Sequence, residues 1–340
     1  MASPPPNAPA DAGADEASAD AVGEAPHPKR HRSAALEHDP LERRSGQVLI
    51  LDGGLATHIE ALGENIDHAL WSARCLVSNP DVIQRAHADY YGAGAELAIT
   101  ASYQAHVDGF RELGFGEDKA RAAVELSVRL AKQAAPPSGR VAGSVGCYGA
   151  SLHNGAEYTG DYPGMNEEKL IDWHRPRVQA LITAGCDVLA CETIPCLMEA
   201  RALVRLLEEF QFPAWVTFAC RSPTEVNSGE QFVDCIRAVA DCRYVVGAGV
   251  NCTKPGYVAD LIVSCRAALP REKHVVVYPN SGEEWCGATH TWAAGTATAD
   301  DRFVELARDW ARLGADCIGG CCRTSPSTIA ALRTAFAASD

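Results

Sequence analysis

The chain has no run of about 18 uninterrupted apolar residues, the length a helix needs to cross a bilayer, so no membrane span is expected. Nor does a short apolar stretch with a basic flank open it, as a secretory signal would. Basic residues are the minority charge, 30 Lys and Arg against 44 Asp and Glu. The resulting net charge of −14 argues against nucleic acid and against anionic membrane surfaces as partners. Aromatics are scarce at 7%, and no cage for a quaternary ammonium group can be assembled from them on the sequence alone. Cysteine is present but dilute. Fourteen in 340 residues do not make a disulfide scaffold, and with no leader the expected setting is reducing and cytoplasmic.

Residues 1–45 also have few large apolar side chains. They carry Pro4-Pro5-Pro6 and repeated Ala, Asp and Glu, which bury too little surface to offset chain entropy. The segment is read as a disordered, acidic, Pro/Ala-rich tail. Its cluster Lys29-Arg30-His31-Arg32 fits a solvated tail better than a nuclear address. The first 28 residues are acidic and contain no Arg, which argues against a mitochondrial transit peptide.

What remains, residues 46–340, is rich in core-forming residues, and the whole chain is 47% hydrophobic. Eight near-continuous apolar runs recur at 47–52, 96–102, 140–147, 186–192, 214–220, 244–251, 274–279 and 315–321. They do not alternate strictly, as expected of parallel strands buried on both faces. Helical patterns lie between them. Pro80–Tyr91 begins after Ser78-Asn79 and stops at Gly92 and Gly94. Residues 301–313 put Phe303, Leu306, Ala307, Trp310 and Leu313 on one stripe. Pro195, Pro255 and Pro326 each fall where a helix opens after a strand. Eight β-then-α units predict an α/β protein built as a single TIM-type (β/α)₈ barrel. A doubly wound open sheet is the alternative, since periodicity does not show closure.

The most unusual stretch is Cys317-Ile318-Gly319-Gly320-Cys321-Cys322-Arg323, followed by Thr324-Ser325-Pro326. An apolar strand runs into two glycines, then two cysteines, then a helix start with Ser325 as cap and Pro326 in the first turn. Most cysteines of such a chain are small core residues. Cysteines just after a Gly-Gly turn are accessible instead. A vicinal pair closes a strained ring with itself, but two thiolates on a short turn can share one soft cation. Cys252, in Gly249-Val250-Asn251-Cys252-Thr253-Lys254-Pro255, also ends a β-like run. Cys252, Cys321 and Cys322 together read as an open Zn²⁺ site with the fourth position left to a substrate.

In a barrel the C-terminal strand ends converge on one face, where the chemistry belongs. Asp52-Gly53-Gly54 ends the first run, Thr100, Ser102 and Tyr103 lie near the end of the second, Cys147-Tyr148-Gly149 near the third, and Cys191-Glu192-Thr193 ends the fourth. Asp52 alone also fits a turn-stabilising role. Glu192 closes an apolar strand, where an acid is costly unless paired. Two carboxylates, Gly-loop amides and thiolates suit a zwitterionic amino acid that carries a thiol.

These motifs resemble the homocysteine S-methyltransferase family, in particular its S-methylmethionine-dependent plant and bacterial members. The resemblance is carried by Asp52-Gly53-Gly54, Glu192-Thr193, Gly249-Val250-Asn251-Cys252 and Gly319-Gly320-Cys321-Cys322-Arg323, and spans about residues 47–338. It implies a (β/α)₈ barrel with Zn²⁺ on Cys252, Cys321 and Cys322. Asp52 and Glu192 would contact the amine of L-homocysteine, with the Gly53–Gly54 backbone at its carboxylate. It also implies a sulfonium methyl donor, S-methylmethionine or else S-adenosylmethionine, and methionine as product. The alternatives are a selenocysteine Se-methyltransferase of the same family, a zinc hydrolase, and a non-catalytic barrel with a structural zinc site. A hydrolase favours His or carboxylate ligands, and a structural site takes a fourth protein ligand, which no His or Cys beside these three supplies.

Overall fold

The computed structural model describes residues 39–43, 47–66, 70–282 and 298–337, together with the backbone at 285–286 and 291–292. Each of the eight apolar runs coincides with a strand, the fourth strand reaching two residues past its run. They are β1 Leu49–Ile50, β2 Leu97–Ile99, β3 Arg140–Gly146, β4 Val188–Ile194, β5 Ala214–Phe218, β6 Val245–Asn251, β7 His274–Tyr278 and β8 Cys317–Ile318. All pair in parallel in the order β1-β8-β7-β6-β5-β4-β3-β2. The ring is completed between its ends by a parallel bridge from Leu51 to Leu97, with Asp52 N–H bonded to Leu97 O at 3.1 Å. The barrel, rather than the open sheet, is therefore what the runs form.

Two apolar layers hold it. Inside the barrel Leu49, Leu51, Leu97, Ala142, Val188, Ala190, Trp215, Val276 and Cys317 pack together. Outside, helices pack over the strands and bury the larger cluster. Pro80–Gly92 forms as the pattern predicts, turning Ile83, Ala86 and Tyr90 inward. In Asp300–Arg312 the stripe buries Phe303, Ala307 and Trp310, but Leu313 falls just past the helix end and stays 39% exposed. A two-stranded antiparallel ribbon, Trp285–Cys286 with Thr291–Trp292, is an addition the sequence did not signal.

The expected tail ended at residue 45, yet residues 39–43 pack against the barrel. Leu41 is fully buried among the interior side chains. Arg43 pairs with Asp316, Asp39 with His274 at 2.6 Å, and Arg140 donates to Pro40 O and Glu42 O at 2.9 and 2.8 Å. His274 opens β7 and Asp316 immediately precedes β8, so this segment plugs the N-terminal end of the barrel. One Leu flanked by a turn is a weak sequence signal, which is why composition alone missed it. The rest of the expected tail, residues 1–38, lies outside the described residues.

Candidate active site at the C-terminal mouth

Strand ends β1 and β8 interlock through their glycines. A side chain at Gly54 would meet Cys321 O at 2.6 Å, and one at Gly319 would meet Asp52 O at 2.6 Å. Gly320 N–H bonds Asp52 O at 3.0 Å, while Gly54 N–H is taken up by Thr324, at 3.2 Å from its carbonyl and 3.1 Å from its hydroxyl. The Asp-Gly-Gly and Gly-Gly-Cys-Cys motifs are thus two halves of one turn.

That turn presents Cys321 and Cys322 opposite Cys252 at the end of β6. The Cys322 sulfur lies 3.8 Å from that of Cys252 and 3.9 Å from that of Cys321, and the three sulfurs fall within 4.8 Å of one another. Sulfurs bonded at about 2.3 Å to one tetrahedral ion stand about 3.8 Å apart, whereas a disulfide needs about 2.05 Å. The spacing fits a shared metal ion. Cys252 sits at φ 46° and Arg323 at φ 65°, left-handed conformations that cost a non-glycine residue roughly 1–2 kcal/mol each. Such strain at a cluster of thiols marks a functional arrangement. Hydrogen bonds from Cys252 and Cys321 hold the Cys322 thiol well below its ordinary value. The thirteen described cysteines are all free, and the other ten are buried core residues.

The two predicted carboxylates come to the same cavity. Asp52 is 1% exposed; its Oδ2 accepts from Ile99 N–H at 2.9 Å, and its Oδ1 is buried with no partner among the described residues. Burial, with the charge of Glu192 added, raises its carboxyl well above the usual range. Burial likewise pushes Glu192 up to about 7, against hydrogen bonds from Ser144 and Tyr278 that favour its charge. Two buried acids thus line one cavity, Asp52 raised in part by Glu192 and carrying an orphan oxygen, and a cation placed there would relieve the cost of their burial.

Residues to which the sequence reading gave no role of their own hold Glu192 in place. Asn251 Oδ1 accepts from Thr193 N–H at 2.7 Å and its Nδ2 donates to Thr193 Oγ1 at 2.8 Å, locking Thr193 at φ 60°. Below the carboxylate, Trp215 donates to the Tyr278 hydroxyl at 3.0 Å, and Thr217 lies 2.8 Å from it. Ser144 was legible as a polar residue inside an apolar strand. Tyr278 gave no such signal, because a strand tyrosine is commonly core.

The cavity measures about 530 Å³. Asp52, Gly53, Gly54, Glu192 and all three cysteines line it, so every predicted site residue is brought to one place. Tyr103, Tyr158, Tyr257 and Tyr278 line it as well. The scarcity of aromatics therefore did not preclude a ring-lined pocket, since a percentage says nothing about where four tyrosines gather. Cation–π attraction serves a sulfonium as well as a quaternary ammonium, so this lining does not choose between them.

A closed parallel barrel whose mouth gathers three thiols and two buried acids around one cavity has the architecture of a barrel enzyme. The sequence profile for homocysteine S-methyltransferase matches residues 49–336. The chain is 43% identical over 295 residues to homocysteine S-methyltransferase YbgG of Bacillus subtilis, covering 83% of this chain and 92% of that protein. It is 41% identical over 318 residues to homocysteine S-methyltransferase 1 of Arabidopsis thaliana, covering 88% and 96%. The fold matches the crystal structure of the homocysteine methyltransferase MmuM from Escherichia coli in its metallated form. That match has a TM-score of 0.77 at 38% identity, covering 87% of this chain and 99% of the other. The oxidised form of the same protein gives a TM-score of 0.78, with the same identity and coverage. The chain belongs to the homocysteine S-methyltransferase family, and it is a methyltransferase.

Proposed function

We propose that the protein transfers a methyl group from a sulfonium donor, S-methylmethionine first and S-adenosylmethionine second, to the thiol of L-homocysteine, giving methionine. The observation that carries this reading is the spacing of the Cys252, Cys321 and Cys322 sulfurs beside an open cavity. Their soft donor set fits Zn²⁺, which supplies a fourth position for a thiol and lowers that thiol's proton affinity. A free alkyl thiol has a pKa near 8.5 and is mostly protonated at neutral pH, so such activation is needed.

The chain's own groups do the rest. Asp52 and Glu192 take the substrate ammonium, which relieves their mutual repulsion. With Gly54 N–H held by Thr324, the substrate carboxylate falls to the Gly53 amide and those that open the helix Leu55–Ala61. Ser144, Tyr278 and the Asn251–Thr193 lock keep Glu192 aimed. Three thiolates and two acids make the mouth negative, and this field favours a cationic donor. The methyl passes in line to sulfur; the C–S bond to the donor breaks, and its electron pair stays on the departing sulfur as a neutral thioether. Positive charge is cancelled as the transfer proceeds, which a water-poor cavity favours over bulk water. No general acid is required.

No helix among the described residues is long and apolar enough to cross a membrane. The free thiols fit a reducing, cytoplasmic setting. The test is to supply homocysteine with S-methylmethionine, S-adenosylmethionine, betaine or methyl-tetrahydrofolate and measure methionine. Fastest turnover with a sulfonium is expected. Faster turnover with betaine or the folate than with either sulfonium would overturn the donor assignment.

A further inference from the structure

The cavity contains a third carboxylate that the reading above does not use. Glu157 lines it from the turn Ala156–Tyr158, which follows β3. Its Oε2 is buried and has no hydrogen-bond partner among the described residues. Burial raises its carboxyl above the usual value, and no cation is among the groups acting on it.

The turn that carries Glu157 is built. A side chain at Gly149 would meet Glu157 N at 2.6 Å, and one at Gly160, already at φ 65°, would meet Ser228 Cβ at 2.7 Å. Asn227, from the segment after β5, donates to Glu157 O at 2.8 Å. At the root of the loop, Tyr148 N–H, the Tyr162 hydroxyl and His174 converge on fully buried Glu199 at 2.6, 2.7 and 2.8 Å. The neighbouring Tyr158 lines the same cavity as Cys252, Cys321 and Cys322. A carboxylate with one buried, unpartnered oxygen, fixed in the wall of the cavity that holds the thiols, calls for a cation from the ligand. Asp52 and Glu192 are already assigned to the amine of the acceptor.

We propose that Glu157 binds the α-ammonium of the methyl donor, making the enzyme selective for a sulfonium that is itself an amino acid. This rests on the sulfonium reading and narrows it. Betaine's α-nitrogen is quaternary and has no N–H to donate to a carboxylate, and methyl-tetrahydrofolate has no free α-ammonium. S-methylmethionine carries the sulfonium and the ammonium on one short chain. Lys254 and Arg221, the latter paired with Glu225 at 3.1 Å, also line the cavity and place positive charge in its wall. The transfer leaves the donor amine untouched: the homocysteine sulfur gains the methyl, its thiol proton goes to solvent, and the donor departs as a second methionine.

The test compares S-methylmethionine with 4-(dimethylsulfonio)butanoate, the same chain without the amine, in wild-type enzyme and in Glu157→Gln. Wild type is expected to favour S-methylmethionine in kcat/KM by about tenfold to a hundredfold, the range for one hydrogen bond to a buried charge. Glu157→Gln should lose most of that preference, with the butanoate donor and the KM for homocysteine changed by less than about twofold. Equal kcat/KM for the two donors in wild type would overturn the proposal whether or not the variant folds. An equal loss with both donors, at unchanged melting temperature, would also overturn it. Failure of both sulfoniums in wild type, with betaine or the folate active, would overturn the donor reading itself.

Discussion

Deleting the plug at the bottom of the barrel tests where the folded unit begins. Removal of residues 1–38 leaves Asp39–Arg43 in place, whereas removal of residues 1–45 takes Leu41 out of the interior cluster it shares with Leu49, Trp215 and Val276. Truncating a fully buried Leu costs about 2–5 kcal/mol through lost transfer energy and the hole left behind. The Arg43–Asp316 and Asp39–His274 pairs are partly exposed and add at most about 1 kcal/mol each. At about 2 °C per kcal/mol for a chain this long, the longer deletion should lower Tm by roughly 5–12 °C, and Leu41→Ala by roughly 4–10 °C. The shorter deletion should leave Tm unchanged, since its residues have no core-forming pattern. Thermal scans of the four proteins at one scan rate read this directly. Turnover at 25 °C should be the same for all, because the plug lies at the opposite end from the catalytic mouth. A 46–340 protein that melts with full length would refute the plug, as would a 39–340 protein that melts as low as 46–340.

Cys252→Ser, Cys321→Ser and Cys322→Ser should each remove metal and activity together, because a hydroxyl is a poor ligand for a soft ion and two thiolates hold it weakly. Metal analysis beside the methyl-transfer assay checks this, and a fully active, fully metallated Cys322→Ser enzyme would contradict the assignment. Glu192, whose carboxyl burial lifts to about 7, must be ionised to take the substrate ammonium. Homocysteine kcat/KM should therefore rise with pH through about 7, and Glu192→Gln should be slower and lack that limb. The stability effect has the opposite sign. A carboxyl raised in the folded state from 4.5 to about 7 subtracts stability as pH climbs through that window. Above pH 7 Glu192→Gln should thus be the more stable protein, by on the order of 2–3 kcal/mol.

The barrel was legible because its strands are buried on both faces, which writes eight apolar runs into the sequence. Each lies within about three residues of its strand, and the strand ends then put Asp52, Glu192, Cys252, Cys321 and Cys322 on one face without further information. What stayed hidden depends on contacts across the barrel. Leu41 is one apolar residue in a polar stretch, and only the interior it fills reveals its burial. Asn251 sits in a visible motif, but its role as a lock on Thr193 needs β4 and β6 brought to either side of β5. Glu157 and Tyr158 lie on a loop with no periodicity, and their place in the cavity wall follows from Gly149 and Gly160 folding that loop back. The four tyrosines show the same limit. They lie far apart in sequence, and gather only once the barrel closes.

The central claim is that three thiolates hold a metal ion with one position left for the substrate sulfur. X-ray absorption at the zinc edge of the metallated enzyme, before and after homocysteine is added, measures this directly. Three sulfurs and one lighter atom at about 2.0–2.3 Å are expected without substrate, and four sulfurs with it. Four sulfurs in the free enzyme, or an unchanged shell when homocysteine binds, would contradict it.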